Sequence, residues 1–284
     1  MNTETYSDLE RLDDLAEATD YAVVGPHDNR IHEVNTKQFP WNTICHVGRD
    51  FGDGRWRGCT GALIGERVVL TAGHCLYNHS MRRAPVRIRV VPGRVDRDQF
   101  PFGSVITSEF FAPRRYIDAR FPNITDRRNY DYGVILLPQS FSAISRFMTI
   151  RVLPDPELVR LKRSKLFTIA GYPGDRPVGS MWRHTERVRR ITPLRLHYTM
   201  DTCPGHSGSP IWYIRRADST RVIVGVHTSG IVDERGRAYG CSQGTILAPP
   251  GLMNSGVRIT QEVLDDISDP RRNVGGVEPM VRLP

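Results

Sequence analysis

Hydrophobic positions along the chain fall in short, β-branched runs broken by Gly, Pro, Asn and Asp, the pattern of many short strands joined by turns. The clearest predicted strands are RVVLTA (67–72), VRIRVV (86–91), YGVILL (132–137), KLFTIAGY (165–172), SPIWYI (209–214) and RVIVGVH (221–227). Long helical periodicity is nearly absent. The best helix comes late, in TQEVLDDIS (260–268), where Thr260 is placed to cap the first turn and Val263, Leu264 and Ile267 share one face. Together these elements predict an all-β barrel architecture with a C-terminal helix, followed by a loose tail, SDPRRNVGGVEP.

The first 22 residues stand apart from this pattern. They hold seven acids (Glu4, Asp8, Glu10, Asp13, Asp14, Glu17 and Asp20) against one base, Arg11. The stretch SDLERLDDLAEA reads as weakly helical, without the basic start and apolar centre of a secretory signal, and so as a detachable leader. The remaining chain carries 38 basic and 24 acidic residues. A pI near 9.5 fits nucleic-acid binding only when basic residues cluster with aromatics or form a known motif, and no such cluster occurs. The basic excess is read as a solvated surface or a weak pull toward acidic substrates. At 284 residues the chain is long enough for one large β domain or two modest ones, and no apolar run approaches the ~20 residues of a membrane span. Neither nucleic acid nor membrane is expected as a partner.

Five cysteines are present: Cys45, Cys59, Cys75, Cys203 and Cys241. An odd number leaves one thiol over if the others pair, and many pairings are open. A zinc site from Cys59, His74, Cys75 and His79 is disfavoured, because adjacent His-Cys ligands match none of the usual finger or ribbon spacings. Disulfides or buried thiols are expected instead, with no metal and no organic cofactor.

Acyl transfer by serine needs a base within reach of the hydroxyl, an acid to orient the base, and backbone donors aimed at the developing oxyanion. The sequence nominates His74 in the small-residue turn TAGHC, Asp131 at the start of an apolar strand in NYDYGVILL, and Ser207 in GHSGSP. An unpaired carboxylate drawn under a sheet is costly, and an imidazole N–H is its natural partner. Glycines around Ser207 allow a tight turn in which the N–H groups of Gly205 and Ser207 aim at one point. The motif does not fit the G-x-S-x-G elbow of the α/β-hydrolases.

The order His, Asp, Ser, carried by TAGHC, DYGVILL and GHSGSP, resembles the chymotrypsin-like serine proteases. More closely, VVGPHDNR, CTGALIGERVVLTAGHC, NYDYGVI, AGYPGDRPVGSMW, MDTCPGHSGSP, GVHTSG and NSGVRIT resemble, in order, the V8-like branch of bacterial glutamyl endopeptidases. The resemblance runs from about residue 23 to 268. It implies two six-stranded antiparallel β-barrels, with a boundary near 140–160, between a leader (1–22) and a C-terminal tail (269–284). It assigns His74 as general base and acid, Asp131 as its orienter, Ser207 as nucleophile, and Gly205 and Ser207 as oxyanion donors. It pairs Cys59 with Cys75 and Cys203 with Cys241, leaving Cys45 free.

Two positions depart from the digestive enzymes of that fold. His206 stands where they carry the acid that captures a new amino terminus, so that salt bridge is not expected; the resemblance implies cleavage near Ala22–Val23, with Val23 close to the specificity pocket. Asp201 stands where trypsin-like enzymes select Lys or Arg, yet His227 matches the histidine with which glutamyl endopeptidases hold a substrate carboxylate. The reading is therefore a zymogen cutting after Glu, less readily after Asp, with Thr202 and His227 lining the pocket and Asp201 turned away. The alternatives are a trypsin-like enzyme using Asp201 and a catalytically silent binding module. Activity should rise as His74 becomes neutral. If His227 binds Glu in its protonated form, acidic substrates should lose affinity as pH rises. Protein or peptide substrates and an activating protease are the expected partners. The implied disulfides favour secretion or the periplasm, with a cytoplasmic location as the alternative.

Overall fold

A computed structural model describes residues 27–119, 124–230 and 253–283. The leader, Val23 and Cys241 lie outside the described residues. The strands, in chain order, are β1 (Ile31–Glu33), β2 (Ile44–Asp50), β3 (Arg57–Gly65), β4 (Val68–Thr71), β5 (Arg87–Pro92), β6 (Val105–Thr107), β7 (Phe110–Pro113), β8 (Gly133–Leu136), β9 (Thr149–Ile150), β10 (Phe167–Gly171), β11 (Met181–Glu186), β12 (Val188–Ile191), β13 (Arg195–Tyr198), β14 (Pro210–Ile214), β15 (Arg221–Ser229), β16 (Asn254–Arg258) and β17 (Met280–Leu283). Among the described residues four short α-helices accompany them: α1 (Arg114–Asp118), α2 (Ile124–Asn129), α3 (Asp155–Ser164) and α4 (Gln261–Ser268).

Two curled sheets result. One has the order β17-β7-β8-β4-β3-β2-β5-β6; the other runs β1-β11-β10-β14-β15-β16-β13-β12, with β9 added in parallel beside β15. The two-sheet architecture is the expected one, but the sheets hold eight and nine strands where six each were expected, and the β9–β15 pair is parallel where all pairs were expected antiparallel. Strands at the middle of the molecule are apolar on both faces because each face meets a different core. On β4, Val69 points into the interior of the first sheet and Leu70 into the core shared between the sheets; on β8, Ile135 and Val134 divide in the same way. A third core, built on Phe167, Ile169, Leu196, Ile211 and Val224, fills the second sheet.

The chain ends differ from expectation. Beyond the stretch predicted to be loose (268–279), which carries only the isolated Val274–Val277 bridge, the chain closes as β17, which pairs antiparallel with β7 and buries Met280 and Leu283. Residues 280–283 thus belong to the first sheet, whereas β1, near the other end of the chain, joins the second by pairing with β11. Each sheet is strapped by the terminal strand from the opposite half of the sequence. No helix among the described residues is long and apolar enough to cross a membrane.

Candidate active site

His74 leaves the end of β4 in a tight turn over Gly73–Cys75. Register explains its partner: Thr71 on β4 pairs with Gly133 on β8, so two residues further along Gly73 faces Asp131. A Cβ at Gly73 would lie 3.1 Å from Asp131 Oδ1 and 3.2 Å from the Tyr132 nitrogen, so glycine permits the close approach. Asp131 is buried and accepts two hydrogen bonds from one residue, from the His74 backbone N–H at Oδ1 (2.8 Å) and from the ring Nδ1 at Oδ2 (2.8 Å). A carboxylate only accepts, so the ring proton sits on Nδ1 and Nε2 is the basic nitrogen. The turn is held further by Arg49, whose Nη1 donates to the His74 carbonyl at 3.3 Å.

Cys59 and Cys75 are joined by a disulfide that ties β3 to this turn. Both sulfurs lie near a His74 ring nitrogen, within 4.8 Å of one another as a group, but a disulfide takes the two thiolates out of metal ligation. Cys203 is also disulfide-bonded, while Cys241, its expected partner, lies outside the described residues. Cys45 is the free, buried cysteine, and burial pushes its thiol far above the ordinary range.

The serine loop, between β13 and β14, crosses from the second sheet to the first. Thr60 on β3 donates its N–H to the Ser207 carbonyl (2.8 Å) and its hydroxyl to the Gly205 carbonyl (2.6 Å), and accepts the N–H of Tyr172 (3.0 Å). The Cys75 sulfur lies 3.6 Å from the Ser207 carbonyl oxygen, which brings the serine loop against the histidine turn. Gly174 N–H binds the Pro204 carbonyl at 2.7 Å, so across that planar peptide the Gly205 N–H points the opposite way. Gly205 holds φ +100°, and a Cβ there would stand 2.3 Å from the Tyr172 carbonyl oxygen. His206 is buried among backbone partners, with Nδ1 accepting the Cys203 N–H (3.1 Å) and Nε2 facing the Trp182 carbonyl (3.4 Å); burial lowers it to about 4. It is a neutral brace for the loop.

β15 forms the adjoining wall, bonded to the serine loop through His227 N–H to Ser209 (2.8 Å) and Gly208 N–H to His227 (2.8 Å). His227 and Thr202 are fully buried. Burial, helped by His206, His74 and the Arg195 guanidinium, holds His227 well below its ordinary value. Desolvation thus favours the neutral ring, which runs against the condition, binding of Glu by a protonated His227, on which the expected loss of acidic substrates with rising pH depended. Its Nδ1 lies 2.6 Å from the Tyr198 hydroxyl. Asp201, also buried, directs Oδ2 at the Asn29 backbone N–H (2.7 Å), with His184 Nδ1 3.3 Å away and accepting the Asp201 N–H (2.8 Å).

Sequence reasoning passed over Thr60 and Tyr198. Tyr198 carried a signal, since Leu196, Tyr198 and Met200 alternate as inward positions and a buried phenol needs a polar partner. Thr60 carried none beyond its place after Cys59.

The family model for trypsin matches residues 28–246. A glutamyl endopeptidase of Bacillus licheniformis is 32% identical over 251 residues, covering 87% of this chain and 68% of the relative. An extracellular metalloprotease of Bacillus subtilis is 28% identical over 241 residues, 84% of this chain and 67% of that protein. Among solved structures, a Glu endopeptidase in complex with MPD aligns with a TM-score of 0.66 at 29% identity, over 87% of this chain and 98% of the other.

Proposed function

This chain belongs to the trypsin family of chymotrypsin-like serine proteases, and from that premise we propose that it is an endopeptidase cleaving after glutamate, less readily after aspartate, with His74, Asp131 and Ser207 as its catalytic triad. Nε2 of His74 takes the proton of Ser207 as Oγ attacks the scissile carbonyl carbon. The carbonyl oxygen gains negative charge facing the N–H groups of Gly205 and Ser207. The bond to nitrogen then breaks as His74 returns the proton to the leaving amine. Water repeats the sequence on the acyl-enzyme, releasing the new carboxyl end and restoring Ser207. The double hydrogen bond between Asp131 and His74 supports this assignment, because it fixes both the ring's orientation and its tautomer.

The observation that carries the glutamyl reading is the direction of the Asp201 carboxylate. It is committed to the Asn29 N–H and neighbours His184, so it offers no counter-charge to a substrate Lys or Arg. His227 and Thr202 remain as the polar groups assigned to the pocket, and a relative 32% identical to this chain over 251 residues is a glutamyl endopeptidase. Leader removal near Ala22–Val23 fits the same anchor. From Asn29 back to Val23 is six residues, which extended span up to about 20 Å. A disulfide on the histidine turn and a second at Cys203 fit export to an oxidising compartment.

A peptide library varied at P1, digested with leader-free protein and read by mass spectrometry, tests the proposal. Cleavage after Glu should exceed cleavage after Lys or Arg by about 100-fold or more. Dominant cleavage after Lys or Arg would return the specificity to Asp201. Failure of a fluorophosphonate probe to label Ser207 would instead mark a silent module.

A further inference from the structure

Resting on the glutamyl reading, we propose that Tyr198 is the positioning residue of the specificity pocket: its hydroxyl donates to His227 Nδ1, keeps the ring proton on Nε2, and makes His227 a standing donor to a substrate carboxylate. The pair reaches across β16, since His227 on β15 lies opposite Gly256 while Tyr198 on β13 lies opposite Asn254. Both residues are fully buried, and their oxygen and nitrogen stand 2.6 Å apart, a strong hydrogen bond.

The direction of that bond follows from donor supply. Among the described residues, His227 Nδ1 is the hydrogen-bond partner of the Tyr198 hydroxyl. Were Nδ1 the donor, whether to the phenol oxygen or to the Ser255 backbone beside the ring, the phenol proton would have no acceptor among the described residues, an arrangement that buried polar groups avoid. Burial also pushes Tyr198 well above its ordinary value and His227 well below, so the phenol keeps its proton and the ring stays uncharged. An uncharged imidazole has one donor and one acceptor. With Nδ1 the acceptor, Nε2 is the donor. A substrate carboxylate can only accept, so it matches this tautomer and is mismatched to the other, which would present a lone pair. The positive charge that His227 does not supply has a nearby source in Arg195, whose guanidinium binds the hydroxyls of Ser255 (2.7 Å) and Thr228 (3.3 Å) beside His227.

Two measurements on the folded, leader-free protein test the proposal. Nitrogen-15 NMR of histidine-labelled wild type, with His227 assigned by its loss in His227→Gln, should show Nε2 protonated and Nδ1 bare; an Nδ1-protonated ring overturns the proposal without any variant of Tyr198. In Tyr198→Phe the two tautomers should mix, and the ratio of kcat/KM for a Glu-P1 peptide over its Gln-P1 twin should fall about tenfold or more, chiefly through KM of the Glu peptide. Fluorophosphonate labelling of Ser207 in the variant reports that the fold and triad persist, which separates this change from a general loss of structure. Undiminished Glu over Gln preference in Tyr198→Phe overturns the role of Tyr198 alone. Absence of that preference in wild type overturns the glutamyl reading and this role with it, while the NMR spectrum still decides the direction of the bond.

Discussion

Thr60 is a side chain whose hydrogen bonds tie the proposed nucleophile loop to two strands. Its hydroxyl donates to the Gly205 carbonyl and accepts from the Tyr172 N–H, so it joins β3, β10 and the serine loop at one oxygen. Substitution by Val keeps the shape and strands both backbone groups, which costs about 1–3 kcal/mol for a buried unsatisfied polar group. Part of that loss should appear in the transition state, because the Gly205 carbonyl that Thr60 holds is on the residue whose N–H, in the preceding peptide, is the proposed oxyanion donor. Thr60→Val is therefore expected to lower kcat about tenfold or more with a smaller change in KM, measured in steady-state hydrolysis. An effect confined to KM would place Thr60 outside oxyanion positioning. The proposed triad was nominated from the sequence at this scale because each member sits in a local pattern: a small-residue turn, a strand start, a glycine-flanked serine. Thr60 and Tyr198 were not, since their roles depend on partners 145 and 29 residues distant along the chain.

At the scale of elements, legibility followed apolar continuity. The six runs predicted as strands all became strands, because β4, β8 and their neighbours are buried on both faces and leave unbroken β-branched stretches. β2 was not predicted although it is buried at every position, for His46, Arg49 and Asp50 interrupt its apolar run with polar groups that are bonded inside the protein. Helix α3 was missed for a different reason: only Leu158 and Leu161 of its ten residues are buried, too few to show a period. Helix α4 was found through its cap, and Thr260 does accept the Val263 N–H at 3.3 Å. Its buried face, Val263 and Ile267, packs into the core shared with Tyr132, and its Asp266 accepts the Tyr132 hydroxyl at 2.5 Å. The helix thus braces the strand that begins beside Asp131. Ile267→Ala should lower unfolding free energy by about 2–5 kcal/mol and Thr260→Ala by about 1 kcal/mol, read from urea midpoints at unchanged slope. Equal losses would mean that the helix is held by its cap and not by its buried face.

At the scale of the whole molecule, three buried histidines (His46, His206 and His227) and two half-buried ones (His79 and His197) shape the response to acid. His79, His197 and His206 are each lowered by burial to about 4, and His46 and His227 lie well below their ordinary range for the same reason. In the unfolded chain these rings take up protons near pH 6.5, whereas in the folded protein they stay neutral until about pH 4 or lower. Between those limits the unfolded state binds more protons, so stability is complete above pH 6.5 and falls as pH drops toward 4. His206 alone, fully enclosed in the serine loop, accounts for a loss of about 3 kcal/mol across that window. Asp28 adds a second, more acid window: burial pulls its carboxyl up, but Arg30 and Arg176 overcome this and hold it at about 2. Its contribution is present above about 3.8 and is lost as pH falls through 2. Thermal melts taken across pH 4–8 should therefore show Tm level above 6.5 and descending below it, with proton uptake on unfolding. His206→Gln, which can keep a neutral acceptor toward Cys203 and a donor toward Trp182, should flatten that descent. A Tm that stays level from pH 6.5 to 4 would mean that the interior histidines open to solvent in the folded protein, and that the serine loop is far less enclosed than its hydrogen bonds require.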